Sequence, residues 1–346
     1  MSICIPVYNF GGFIKQTLDS ISAQRLSMTD DVEVLVVDGA STDNTAAIVS
    51  GCAAEWPRLR YVRLPKKGGI DADLAESIRL ARGEYCWLFS GDDIMRSGAL
   101  ERAMQWLEQS HDVYVSKHGN CDVNLNAMGD HAVFRSDAVR IAELSDPLQR
   151  RRYLSEAMTS EAVFSFMSGL IVRRSMWFSV PDAQEFIGSC WGHVARLLTA
   201  AQTQLRVCYV GEVWLDRRGG NDSFLDRGFV NRLRIAVDGY QRIADHYFGR
   251  TSPEALQIRR LVRNDLGLRL WLRVKHFTSQ SPETENRQEL DRLMERCYSD
   301  SNLGCWVARV TYKFMPTELY GLLLSFRRQV FEALKIRHRR AKQAYK

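Results

Sequence analysis

Asp92 and Asp93 are adjacent carboxylates that follow an aromatic-rich apolar run at 85–89 and a Ser90-Gly91 turn signal. A buried strand that ends in Asp-Asp sets hard oxygen ligands at the rim of a sheet. In open α/β sheets, ligands sit at that rim, outside the carboxyl ends of the strands. Hard oxygens suit Mg²⁺ or Mn²⁺, ions usually shared with a substrate's phosphates. The plain alternative is an Asp-rich turn capping a helix over 94–109, since Asp is a good N-cap. Two further polar clusters weigh against it. Tyr8-Asn9 follows the apolar stretch 2–7, and Asp38 follows the nearly continuous β-branched stretch 32–37. If these stretches are parallel strands, all three clusters fall on one edge of one sheet.

The elements needed to position them are legible. Helical spacing over 13–24, 45–55 and 70–81 alternates with strand-like stretches at 2–7, 32–37, 59–64 and 85–89. This alternation predicts an α/β fold, a mostly parallel sheet with helices on both faces. Ser41, Thr42 and Asp43 stand where the second helix needs a cap. Further on, the pattern predicts strands at 113–117, 162–172 and 207–215, a loop-rich excursion over 119–129, and a helix starting at 189. From about 229 the text is helical, with breaks at Ser252-Pro253, near 279–282 and at Met315-Pro316. A boundary near 225 gives a domain over 1–225 and a helical C-terminal region over 226–346.

Composition bounds the answer without choosing it. The chain has 346 residues, of which 45% are hydrophobic and 25% charged, so there is ample material for a core. The formal net charge is +6, with the basic excess at the C-terminal end. The eight cysteines are scattered without a C-x-x-C pair, so neither zinc spacing nor a redox motif is present. With no signal-peptide pattern, reduced thiols in a cytoplasmic protein are expected. No apolar run reaches the roughly 18–20 residues needed to cross a bilayer.

Four motifs in order over the first 95 residues resemble the family 2 glycosyltransferases of GT-A fold. They are Pro6-Val7-Tyr8-Asn9; Asp38-Gly39-Ala40-Ser41-Thr42-Asp43-Asn44-Thr45; Gly69-Ile70-Asp71-Ala72-Asp73 with Ala81-Arg82-Gly83-Glu84-Tyr85; and Ser90-Gly91-Asp92-Asp93. The first and last also resemble O-antigen sugar transferases of the abequosyltransferase type. The resemblance implies an inverting reaction with a nucleotide-diphosphate sugar donor and Mn²⁺ or Mg²⁺. It makes 1–95 the nucleotide-sugar half and 96–225 the acceptor half. By the same resemblance, Asp93 binds the ion and Asp92 holds the ribose or completes the metal shell. Asp38 accepts from the nucleobase, Tyr8 stacks beside it with Pro6 and Asn9 in the same motif, and Asp71 lies near the nucleoside. Arg218, in the late segment Arg217-Arg218-Gly219-Gly220-Asn221-Asp222-Ser223, closes over the diphosphate.

An inverting transferase needs a group to take the acceptor hydroxyl's proton. The family supplies an acid at the start of a helix about 90–100 residues after the metal motif, but this chain has Ser189-Cys190-Trp191-Gly192-His193 there. His193 is the first candidate and Glu185 the next, with Asp182 just upstream. An apolar face at 319–334, followed by a cluster of basic residues, fits a helix lying in a membrane interface. The acceptor is then a lipid-linked glycan at the inner face of the cytoplasmic membrane. The alternative is a packing or oligomerisation helix with a solvated basic tail. Two other readings compete: a nucleotidyltransferase, which lacks its basic glycine-rich loop after the first strand, and a non-catalytic basic module that binds nucleic acid. The transferase reading expects no nucleic-acid partner.

Overall fold

A computed structural model describes residues 1–24, 31–280 and 284–322. The first half alternates β1 (Ser2–Val7), α1 (Ile14–Ser22), β2 (Glu33–Asp38), α2 (Thr45–Glu55), β3 (Leu59–Arg63), α3 (Ile70–Leu80) and β4 (Tyr85–Leu88). Then come β5 (Ile94–Met95), α4 (Ala99–Leu107), β6 (Val113–Cys121), β7 (Ala127–Asp130), β8 (Arg140–Glu143) and α5 (Pro147–Glu156). They are followed by β9 (Leu170–Arg173), α6 (Arg174–Phe178), α7 (Gly192–Ala200) and β10 (Arg206–Arg218). The helices α8 (Gly228–Phe248), α9 (Pro253–Ser279), α10 (Thr284–Cys297) and α11 (Leu303–Phe314) end the described chain.

The sheet runs β3-β2-β1-β4-β9-β6-β10-β5, with β7 on β6 and β8 on β10. β1 to β4 are mutually parallel, β9 runs antiparallel between β4 and β6, and β10 is parallel to β6. β2 is buried along nearly its whole length, as its unbroken aliphatic text requires of a strand covered on both faces. On β1, Ile3, Ile5 and Val7 join a core with Leu18, Val34, Trp87 and Phe89. The alternate residue Cys4 faces the other side, its Sγ 3.7 Å from the Ser77 carbonyl on α3.

β1 and β4 pair only from Ser2–Cys86 to Cys4–Leu88 and then part. Pro6, which has no N–H to give, lies beyond that last pair, where a ladder bond toward β4 is no longer needed. The parting of β1 and β4 is the point at which strand order reverses, the place where α/β folds open a ligand crevice.

The second half departs from the sequence expectation. Residues 94–95 do not begin a helix. They pair with Asp216 and Leu215 of β10, Arg96 bonds the Asp216 carboxylate at 2.7 Å, and α4 starts only after Gly98 at φ +72°. Much of the expected loop at 119–129 is a β6–β7 hairpin. The expected strand at 162–172 shrinks to β9, preceded by 3₁₀ turns at Ser160–Val163 and Met167–Gly169. In that stretch Tyr153, His193 and Trp87 bond the carbonyls of Ala162, Phe164 and Ser168, so side chains replace the strand ladder. α5, which no periodicity announces, is started by Asp146, whose carboxylate accepts from Leu148 N and Gln149 N, with Pro147 at the first helical position.

The chain divides into two compact units, Met1–Ser223 with Asp238–Leu261, and Phe224–Val237 with Val262 onward. The second is all helical, with a core of Leu233, Trp271, Leu293, Met294, Tyr298 and Tyr312. Arg263 and Asp300 pair within it at 2.7 Å.

Candidate active site

The three polar clusters do converge at the carboxyl ends of β1, β2 and β4. Asp93 is 2% exposed. Its Oδ2 accepts from the Ser168 hydroxyl at 2.6 Å and its Oδ1 from the Arg218 backbone N–H at 3.0 Å. Burial, and then the Asp92 charge beside it, push its pKa up to about 7. Asp92 accepts from the Ser90 hydroxyl and from Asn221 Nδ2. Among the described residues neither carboxylate makes an ion pair with a lysine or arginine. Two neighbouring carboxylates that present oxygen donors and have no ion-pair partner among the described residues fit a divalent cation.

On the β2 side, Asp38 is fully buried. Its oxygens accept from Ser41 N at 2.7 Å and from the Tyr61 hydroxyl at 2.6 Å. Both oxygens are thus engaged with the 38–45 loop and β3, and the carboxylate orders that loop from behind. Asn9, at φ +60°, clips the β1 end to the same loop: its N–H donates to Ser41 Oγ and its Oδ1 accepts from Thr42 N. Tyr8 is half-buried, with Lys67 Nζ 3.6 Å from its ring centroid. Lys67 was quoted in no motif, and only the fold shows that its loop meets Tyr8. Asp73, also unassigned by sequence, is pushed up by burial and wedged between two loops: a Cβ on Gly39 or Gly68 would lie 2.4 or 2.5 Å from its carboxylate oxygens.

Asp71 meets the start of α7. Its Oδ2 accepts from Gly188 N and Cys190 N at 2.8 and 2.9 Å, and its Oδ1 from Gly192 N at 2.9 Å. α7 has no side-chain cap of its own, so Asp71 satisfies its orphan donors from α3, and its charge suits the helix N-terminus. A side chain at 192 would start 3.1 Å from the same carboxylate. The acid missing from α7 is thus replaced in space by one delivered from α3.

His193 follows directly. Its ring is 7% exposed, Nε2 lies 3.0 Å from the Phe164 carbonyl, and burial holds its pKa below the usual imidazole value. A carbonyl can only accept, so Nε2 carries the proton and Nδ1 the lone pair. Glu185 is elsewhere, half in solvent and 3.2 Å from His246 Nε2. Asp182 pairs with Arg196.

Arg218 also differs from expectation. Its guanidinium donates to the carbonyls of Asp92 and Val123 at 2.9 Å and to Gln16 Oε1 at 2.7 Å, and the residue is 5% exposed. It braces the loop that carries the carboxylates and has no free face for a diphosphate. Arg217 beside it is exposed, and its charge acts on Asp93. Ser168, which holds Asp93, had no sequence signal.

Residues 2–171 match the Glycosyl transferase family 2 domain. The chain is 26% identical over 310 residues to the abequosyltransferase RfbV of Salmonella typhimurium, covering 88% of this chain and 90% of that one. It is 28% identical over 123 residues to the glycosyltransferase GlyG of Streptococcus pneumoniae, a match spanning 35% of this chain and 40% of that protein. Among solved structures, S. aureus TarS 1-349 in complex with UDP-GlcNAc superposes with a TM-score of 0.57 at 16% identity, over 95% of this chain and 91% of that one. The mannosyltransferase PcManGT from Pyrobaculum calidifontis, in complex with GDP-Man and Mn2+, gives 0.51 at 17% identity over 93% and 84%. At these identities the structures speak for the fold alone. Residues 2–171 form a Glycosyl transferase family 2 domain, the GT-A-like sheet carries appended helices, and the protein is a glycosyltransferase. The nucleotidyltransferase and non-catalytic readings fall away.

Proposed function

We propose that the protein is a metal-dependent inverting transferase. It moves a sugar from a nucleoside-diphosphate sugar to a lipid-linked glycan in cell-surface polysaccharide synthesis of the O-antigen kind. The observation that carries this reading is the Asp92–Asp93 pair, without an ion-pair partner among the described residues, at the point where strand order reverses. The abequosyltransferase RfbV, and the UDP-GlcNAc and GDP-Man bound in the two similar structures, support the donor class.

Asp93 and Asp92 would hold Mn²⁺ or Mg²⁺. When bound, such an ion neutralises the departing diphosphate. Arg217 adds a second cation at the same edge. Tyr8, Asn9 and Lys67 wall the nucleoside, with Asp38 fixing the loop behind them. His193 takes the acceptor proton at Nδ1, and its neutral state at physiological pH suits a base. Glu185, tied to His246, is the second candidate. The test is calorimetric titration with UDP, GDP, CDP and dTDP, with and without Mn²⁺. Tighter binding of one nucleotide with Mn²⁺ is expected; equal, weak binding of all under both conditions overturns the reading.

The helical unit gives the membrane proposal a described surface. On α11, Cys305, Ala308 and Tyr312 are buried, while Leu303, Trp306, Val307 and Phe314 are exposed at helical spacing. Leu319 and Leu322 are exposed beyond it, but most of the apolar helix read at 319–334 lies outside the described residues. Among those described, no helix is long and apolar enough to cross a membrane. This face and the basic tail are proposed to hold the enzyme peripherally on the inner face of the cytoplasmic membrane. The full chain should sediment with anionic vesicles at low salt more than a chain ending at Met315; equal recovery in the supernatant overturns it.

A further inference from the structure

His118, His131 and Glu161 come from three separate places: β6, the stretch just after β7, and the 3₁₀ turn at Ser160–Val163. Their side chains nevertheless meet, each offering one donor atom, all within 4.8 Å of one another. His131 Nε2 lies 3.1 Å from Glu161 Oε2. The two imidazoles stack at 4.6 Å between centroids, and the Phe166 ring lies tilted against His118 at 4.4 Å.

His118 is fully buried, yet neither ring nitrogen has a hydrogen-bond partner. Buried polar atoms are almost always satisfied, so an imidazole left in this way needs an explanation. Simple burial would favour an apolar side chain of that size. Neutral imidazole and carboxylate are the forms that ligate metals.

We infer that His118, His131 and Glu161 form a second metal site, distinct from the Asp92–Asp93 pair, that takes Zn²⁺ or a similar borderline transition ion. Two imidazoles and one carboxylate make a donor set that zinc accepts at about 2.0–2.2 Å, with a fourth position left for water or another oxygen. The ion would supply the bond His118 lacks, and the ring planes, now 19° apart, would splay to share it. It would tie three segments of the acceptor half together. The site borders the catalytic edge through Arg217, whose charge reaches both His118 and Asp93.

The test uses the full chain, stripped with a chelator, given Zn²⁺ and desalted. Metal analysis should find about one zinc per chain in the unaltered protein and in Asp93→Asn, and at least about 100-fold weaker retention in His131→Gln, by chelator competition, since even an outer partner is worth 10–100-fold. The thermal melt of His131→Gln is compared with that of the unaltered protein to check folding, and zinc X-ray absorption is recorded on the unaltered protein. A shell of two imidazoles with oxygen and no sulfur is expected. No retained zinc in the unaltered protein, loss in Asp93→Asn with retention in His131→Gln, or a sulfur shell from the cysteines each overturns the inference. Mn²⁺-dependent nucleotide binding is measured in parallel, so failure here is separable from failure of the donor site.

Discussion

The two halves of the catalytic sheet are built by opposite means. From β1 to β4 the strands of the first half pair with one another in parallel, and each functional loop follows its strand directly. In the acceptor half, β9 is inserted antiparallel, β10 bends through two register shifts, and side chains from distant segments hold one another. The halves meet at Asp93, which the first half supplies and the second half fixes through Ser168 and the Arg218 backbone. A local design gives a site that motifs announce. A non-local one gives a site that only packing reveals.

The sharpest test of that meeting point is Asp93→Ala. Lewis-acid help is worth several kcal/mol, so turnover should fall at least about 10³-fold and nucleotide binding should lose its metal dependence, with the fold intact by circular dichroism. Near-normal turnover would detach the metal from this carboxylate. Within the acceptor half, His193→Ala should lose roughly 10²–10⁴-fold in turnover with donor affinity little changed, whereas Glu185→Ala should change little. A large loss from Glu185→Ala alone would exchange the two roles.

Smaller effects separate support from chemistry. Asp93 titrates near 7 in the metal-free fold but near 4 in an unfolded chain. Its raised value makes stability greatest below about pH 4 and lowers it as pH rises through 7, by on the order of a few kcal/mol. Urea midpoints in chelator should show this slope between pH 5 and 8, and Asp93→Asn should flatten it; an unchanged slope refutes the assignment. Asp71→Ala should cost about 1–3 kcal/mol, because three backbone donors at the start of α7 lose their acceptor. Nucleotide affinity should hold while turnover drops. If affinity falls and the melting temperature does not, Asp71 touches the nucleoside after all.

The sequence by itself determined the α/β alternation, the edge on which Tyr8, Asn9, Asp38, Asp92 and Asp93 gather, and the family. Those properties follow from periodicity and from loops adjacent to their strands, which are local facts. It did not show that Asp38 orders a loop from behind, that Arg218 is a brace, or that α7 borrows Asp71 as its cap. Nor did it show that 94–95 forms a strand, since that depends on Asp216 and Leu215 more than 100 residues away. Cysteine spacing spoke against a zinc motif, yet two histidines and a glutamate from three segments meet in the acceptor half. Each of these was decided by tertiary structure, because a buried donor or charge takes whichever partner the packed chain brings within about 3 Å, however far away it lies in sequence.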